Sequence, residues 1–262
     1  MKIPTVIHEQ NAHPGLANKI LSRLVDVVAT SFPDGEKIFP SSKRLIYTGN
    51  PVRRKMIGLL KDSGLDALTL EKDKKTVLIF GGSQGAQKIN DAMIGVYKSL
   101  KDRDDLQIIH ITGKKMFDEV CKAMKREVHS DDNLRYQAHP YLSDINDAYA
   151  ASDLVVSRAG ATTIAELTAV GVPSVLVPYP HATGNHQFKN AEVLENIGAA
   201  KIIPDNELNG ESLKNAIDSI TGDPATLARM KERSSSLGKP FAANDLAKIV
   251  LDQSDKIQIL KA

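Results

Sequence analysis

The sequence predicts an α/β fold built on parallel sheet. Short, nearly continuous Val/Ile/Leu runs alternate with stretches of about 10–15 residues whose apolar positions recur three or four apart. The runs end at glycine-rich or polar turns. Such runs are strands covered on both faces, as in parallel sheets, and each strand–helix–strand unit closes as a right-handed crossover.

In the first third, residues 5–7 and 25–30 read as strands, with a helix between them at 16–24. A strand at 45–47 leads into Gly49-Asn50-Pro51-Val52-Arg53. Residues 1–60 are few for an independent α/β domain and read as the back part of one. Charged, turn-rich composition marks 61–73 as a linker, ahead of a second domain at 74–240. There, 76–80 (TVLIF) is a buried strand stopped by Gly81-Gly82. The helix at 86–100 places Ile89, Met93, Val96 and Leu100 on one face. A strand at 106–111 precedes a helix at 115–126 bearing Phe117, Val120, Cys121 and Met124, with Cys121 expected in the core. Strands follow at 134–137, 154–156, 174–177 and 200–203. Helices separate them at 145–151, 162–170 and 187–196, the second stopped by Gly171 and Pro173. Two or three helices finish the chain, and 241–262 is expected to pack back on the first domain.

The composition is globular: 262 residues, 42% hydrophobic and 25% charged. With 34 basic and 32 acidic residues the net charge is +2, so no global field attracts nucleic acid and none is expected as a partner. One cysteine excludes a disulfide framework and a cysteine-based zinc site, and fits a reducing compartment. No apolar run approaches the ~18–20 residues that span a bilayer, and the first residues lack a signal-peptide core.

Open parallel sheets bind ligands beyond the carboxyl ends of their strands. Gly81-Gly82-Ser83-Gln84-Gly85-Ala86 sits between a strand and a helix, where free N–H groups and the positive dipole end suit a phosphate. It is neither G-x-G-x-x-G nor a Walker loop, which weakens a dehydrogenase or P-loop reading. The segment 157–166 (SRAGATTIAE) repeats the design. Its Glu166 is either a dipole or capping-box partner for the helix or a carboxylate for ribose hydroxyls. In 178–187, His181, Asn185, His186 and Gln187 suit sugar hydroxyls; no acidic partner lies there to complete a metal site. His8-Glu9-Gln10-Asn11 ends the first strand, and Lys43-Arg44 and Arg53-Arg54-Lys55 are locally basic.

Taken in order, HEQNAHPGLANK, TGNPVR, LIFGGSQGAQKIN, SRAGATTIAEL, GVPSVLVPYP and NHQFKNA resemble the MurG family. Its members are GT-B glycosyltransferases that move N-acetylglucosamine from UDP-N-acetylglucosamine to lipid I, giving lipid II for peptidoglycan. The resemblance implies two Rossmann-like domains facing a cleft. Gly82 and Ser83 would then meet the diphosphate. Ala161, Thr162, Thr163, Ile164 and Ala165 would run beside the nucleotide, with Glu166 on its ribose. Leu142 (or Ile145) would face uracil, and Gln187 the sugar hydroxyls. Asn11 and Arg53 match donor-proximal residues of the first domain. The resemblance further implies inverting transfer without metal or cofactor, a lipid I acceptor, and peripheral contact with an anionic membrane surface on the cytoplasmic face. Two departures stand out. His186 occurs where the family carries a first glutamine. The family's early glycine-rich loop, GGTGGH, whose histidine is its best candidate base, has no counterpart here; the chain resembles the later part of the enzyme, from an internal Met. No general base is assigned; His8 and His13 lie near the expected cleft edge. Alternatives are a non-catalytic UDP-sugar-binding subunit of a split transferase, or another GT-B enzyme such as an epimerase.

Overall fold

A computed structural model describes residues 3–82 and 85–259, with side chains described through Ser254. Among these residues, nine strands form two wholly parallel sheets. The first has the order β1 (Val6–Glu9), β2 (Val27–Thr30), β3 (Leu45–Tyr47), with α1 (Leu16–Leu21) and α2 (Gly35–Ile38) in the crossovers. After α3 (Lys61–Ala67) the second sheet begins with β4 (Lys75–Phe80), α4 (Gln87–Leu100), β5 (Leu106–Ile111), α5 (Phe117–Met124) and β6 (Arg135–His139). It continues with α6 (Ile145–Ala151), β7 (Leu154–Ser157), α7 (Ala161–Val170), β8 (Ser174–Leu176), α8 (His186–Asn196) and β9 (Ala200–Ile202). The chain then runs through α9 (Gly210–Thr221), α10 (Pro224–Ser236) and α11 (Ala242–Ile259).

The inner strands of the second sheet, β4, β5, β7 and β8, are buried on both faces, which is why they read as mostly apolar runs. Val77, Ile79, Ile108 and Val156 face one core with Ile89, Met93, Val96 and Leu100 of α4 and the apolar side of α9. Leu78, Phe80, Ile109, Ile111 and Val155 face the other, against α6, α7 and α8. Each such aliphatic side chain contributes about 1.5–3 kcal/mol on burial, so the α4 stripe alone anchors that helix. Caps fix the later helices: Asn209 accepts from the Ser212 N–H while Ser212 Oγ accepts from the Asn209 N–H, and Pro224 opens α10 behind Asp223.

The sheet order is β6-β5-β4-β7-β8-β9. The chain leaves β4 toward one edge and returns through β7 to β4's other side. Strand order therefore reverses between β4 and β7, the place where open sheets open a crevice. Phe80 pairs with Ser157 across these strands, so both end level and their following loops emerge side by side.

Two local features add to the sequence reading. The charged segment 61–73 contains α3, which packs on α6. Only Gly64 and Leu65 of α3 face inward, while Lys61, Asp62 and Asp66 face water, so composition hides the helix. A Cβ at Gly64 would lie 2.4 Å from the Asp147 carbonyl oxygen, which explains the glycine there. Cys121 is half-buried, at the margin of the α5 face that Val120 and Met124 bury.

The chain passes between the two sheets twice, before α3 and before α11. These passages touch: a Cβ at Gly49 would fall 2.4 Å from the Lys239 Cβ. The Tyr47 hydroxyl donates to the Leu237 carbonyl at 3.3 Å, and Lys239 Nζ lies 4.6 Å above the Tyr47 ring. Beyond them α11 returns to the first sheet, where Leu246 and Ile249 pack with Val6, Val27, Ala29 and Ile46.

Candidate active site

A cleft of about 340 Å³ opens where β4 and β7 end. Gly82, Thr162, Thr163 and Glu166 line it from the two strand-end loops and α7. Phe80, Ile111, Tyr141, Leu142 and Ile145 supply an apolar wall, and Arg53 enters from the segment after β3.

The first loop is shaped for backbone approach. A Cβ on Gly81 would sit 2.2 Å from the Ala86 nitrogen, so the turn closes only with glycine. Gly82 has φ +93° and open space where a Cβ would stand; glycine is required there for the left-handed backbone. Ser83 lies outside the described residues. Among the described residues no side chain caps α4 or α7, which leaves first-turn N–H groups and positive dipole ends for an anion.

The N-cap of α7 is Gly160. Neither Thr162 nor Thr163 caps the helix, and Glu166 is not a capping-box partner. Its carboxylate is buried, and two groups hold it: Arg53 Nη2 donates to Oε1 at 2.8 Å, and the Tyr149 hydroxyl donates to Oε2 at 3.2 Å. Burial, then the neighbouring Glu166 charge, pushes the Tyr149 phenol well above its ordinary range, so it acts as a donor. The Arg53 side chain is 48% exposed, so screening limits that pair to about 1 kcal/mol or less.

The periodicity of α7 divides the segment 161–165. Ala161, Ile164 and Ala165 turn away from the cleft toward a pocket of about 20 Å³ between the sheets, with Phe32, Tyr47 and Asn50. That space admits about one water.

Asn11 and Gln187 lie apart from the cleft lining. Asn11 Oδ1 accepts from Asn190 Nδ2 at 3.2 Å, and Gln187 Oε1 accepts from the Tyr179 N–H at 2.9 Å. Glu9 organises the loop after β1, accepting from the Asn11 N–H, the Gly15 N–H and Asn18 Nδ2. His8 Nε2 lies 2.9 Å from the Ser31 hydroxyl and 3.2 Å from the Gly49 carbonyl oxygen, and burial lowers its pKa. His13 is exposed; desolvation first, then Lys19 and other nearby cations, lower its pKa. Among the described residues no three His, Cys, Asp or Glu side chains converge as metal ligands, and no helix is long and apolar enough to cross a membrane.

Residues 76–249 match the family model of the glycosyltransferase family 28 C-terminal domain. A Halothermothrix orenii protein named UDP-N-acetylglucosamine–N-acetylmuramyl-(pentapeptide) pyrophosphoryl-undecaprenol N-acetylglucosamine transferase is 45% identical over 254 residues, covering 96% of this chain and 68% of that one. Its Bacillus licheniformis namesake is 46% identical over 248 residues, covering 95% and 66%. The crystal structure of Acinetobacter baumannii MurG superposes with a TM-score of 0.78 at 31% identity, over 95% of this chain and 68% of that one. The chain belongs to the MurG family. Its fold is that of the GT-B glycosyltransferases, and it spans about two thirds of the length of these MurG relatives.

Two residues, one behind Glu166 and one behind Asn11, escape sequence reasoning. Tyr149 reads as helix core, and only the tertiary fold brings its hydroxyl to Glu166. Asn190 is buried; its Oδ1 accepts from the Ala12 N–H at 2.8 Å, and its Nδ2 donates to Asn11 Oδ1 and, at 3.3 Å, to the Ala159 carbonyl. The available signal is its place three residues after Gln187, on the same side of α8.

Proposed function

We propose that the chain binds UDP-N-acetylglucosamine in this cleft and transfers the N-acetylglucosamine to lipid I, giving lipid II for peptidoglycan synthesis. The observation that carries the reading is the convergence of Arg53, Gly82, Leu142, Thr162, Thr163 and Glu166 on one cleft at the strand-order reversal. Leu142, with Tyr141 and Ile145 beside it, offers an apolar shelf and backbone for uracil. Glu166 accepts the ribose hydroxyls, an exchange in which Arg53 gives up Oε1. The amides around Gly82 and at the start of α4 receive the diphosphate, with the Ser83 hydroxyl as a further donor. Ala161, Ile164 and Ala165 run beside the nucleotide with Thr162 and Thr163, Gln187 takes the sugar hydroxyls, and Asn11 lies near the donor from the first domain.

The acceptor hydroxyl attacks the anomeric carbon from the face opposite the diphosphate. The new C–O bond forms as the bond to UDP breaks, its electron pair leaving with the diphosphate and the hydroxyl proton passing to a base. Fixed amides stabilise the charge that develops on the leaving group without reorganising, and Glu166 positions the nucleoside. The reaction is inverting and uses no metal or cofactor.

The proposal divides the chain at 1–60, 61–73, 74–240 and 241–262, with the donor held mainly by the third segment. It also places the protein on the cytoplasmic face of the membrane as a peripheral protein. Leu16, Ile20 and Leu24 are exposed on one side of α1 and the turn after it, with Lys19 and Arg23 nearby. This apolar, basic face supports contact with an anionic bilayer, worth ~1 kcal/mol per basic residue.

Calorimetry with UDP-N-acetylglucosamine tests the reading. Glu166→Ala is expected to weaken donor binding by about tenfold or more, the loss of hydrogen bonds to a charged acceptor. Unchanged affinity in that variant, or no affinity in the folded chain, refutes it. Formation of lipid II from labelled donor and a lipid I analogue tests the transfer itself.

A further inference from the structure

We infer that Tyr149 is a positioning residue for Glu166 and sets the preference of the cleft for a ribonucleotide over a 2′-deoxyribonucleotide. The inference rests on the proposed role of Glu166 as ribose acceptor.

Tyr149 sits on α6 and is fully buried, its ring edge-on to Phe80 at 5.9 Å. Phe80 is the last residue of β4 and lines the cleft. The phenol thus cannot turn away, and its hydroxyl donates to Glu166 Oε2. The group on the other oxygen differs in kind. Arg53 is half exposed and comes from the segment between β3 and α3, so an incoming hydroxyl can replace it.

A carboxylate has about four acceptor positions. With Oε2 pinned by the phenol, the plane of the carboxylate is fixed and its remaining positions face the cleft. Without that pin, both oxygens are free to turn onto the guanidinium fork, the pairing that arginine favours. Such a pair competes with ribose for both oxygens. Removing the Tyr149 hydroxyl therefore weakens a ligand with two ribose hydroxyls more than a ligand with one.

The test is calorimetric titration of the 262-residue chain with UDP and with 2′-deoxy-UDP. The wild-type chain is expected to prefer UDP by about tenfold or more, the value of a hydrogen bond to a charged acceptor. In Tyr149→Phe, which keeps the ring packing, the preference is expected to shrink to roughly threefold or less as that bond is lost. In a Glu166→Gln background, adding Tyr149→Phe is expected to change the ratio by less than about twofold, because the two groups act as one unit. A Tyr149→Phe chain that keeps the wild-type ratio overturns the inference while leaving the ribose reading standing. A wild-type chain that binds both ligands equally overturns the ribose reading and this inference with it. The ratio compares two ligands on one sample, so a partly unfolded variant does not distort it. A crystal structure of the wild-type chain with UDP supplies a readout free of mutation: a Tyr149 hydroxyl detached from Glu166 also overturns the inference.

Discussion

Replacing Asn190 by alanine tests how the loop after β1 is tied to the second sheet. Asn190 is wholly buried, and its side chain serves the Ala12 N–H, the Ala159 carbonyl and Asn11 Oδ1. Asn11 is half-buried and can turn its amide to water. The Ala159 carbonyl is buried and has no such recourse, and the half-buried Ala12 N–H has it only in part; a buried group left without a partner costs about 1–3 kcal/mol. Partial entry of water trims this, so the expected loss is about 2–4 kcal/mol. The chain contains no tryptophan, so urea unfolding is followed by far-ultraviolet circular dichroism. Because the lost bonds join the first sheet to the second, the amides of β2 are expected to exchange hydrogen sooner than those of β4 and β5. A stability change below about 0.5 kcal/mol, the range of an ordinary surface substitution, with β2 protection unaltered, refutes the reasoning.

His110 is buried between Asn90 Oδ1 and the Tyr136 hydroxyl, and desolvation pushes its pKa from 6.5 down to about 3. Between those values the unfolded chain binds a proton that the folded chain refuses, so stability falls as pH drops below 6.5, by up to ~1.4 kcal/mol per pH unit from this group. His110→Gln is expected to flatten that acid limb in urea titrations at stepped pH; an unchanged slope refutes the assignment. Gly64→Ala is expected to lower stability by about 1–3 kcal/mol through overpacking of α3 against α6; a thermal melt that matches the wild type refutes the close approach.

The fold was legible where burial alone decides it. Strand Leu106–Ile111 and helix Ile145–Ala151 follow the sequence pattern to the residue, because the former is buried throughout, with four aliphatic residues around Gln107 and His110, and the latter stops where Ser152 and Asp153 turn the chain. Ends without caps were less legible: α5 is two residues shorter at each end than its pattern, since Lys115 and Arg126 lie in turns. α3 was invisible because two inward residues leave almost no apolar stripe. At the site, the loops after β4 and β7 could be picked out as strand ends opening into helices. Their adjacency follows from a pairing, Phe80 with Ser157, that no local pattern encodes. Nor does spacing reveal that Arg53 reaches Glu166, or that a core tyrosine turns its one polar atom toward that carboxylate. Such contacts arise only when segments more than a hundred residues apart, or neighbouring helices, are brought together.

The two adjacent passages of chain near Gly49 and Lys239 form a double seam between the sheets. A single tether would let one unit swivel freely over the other. Two passages in contact, joined by the Tyr47 hydroxyl and the Lys239 ammonium above its ring, connect the first sheet to the second at points far apart in sequence. The same double crossing sets where the segment after Gly49 leaves the first sheet, and so the side from which Arg53 reaches Glu166.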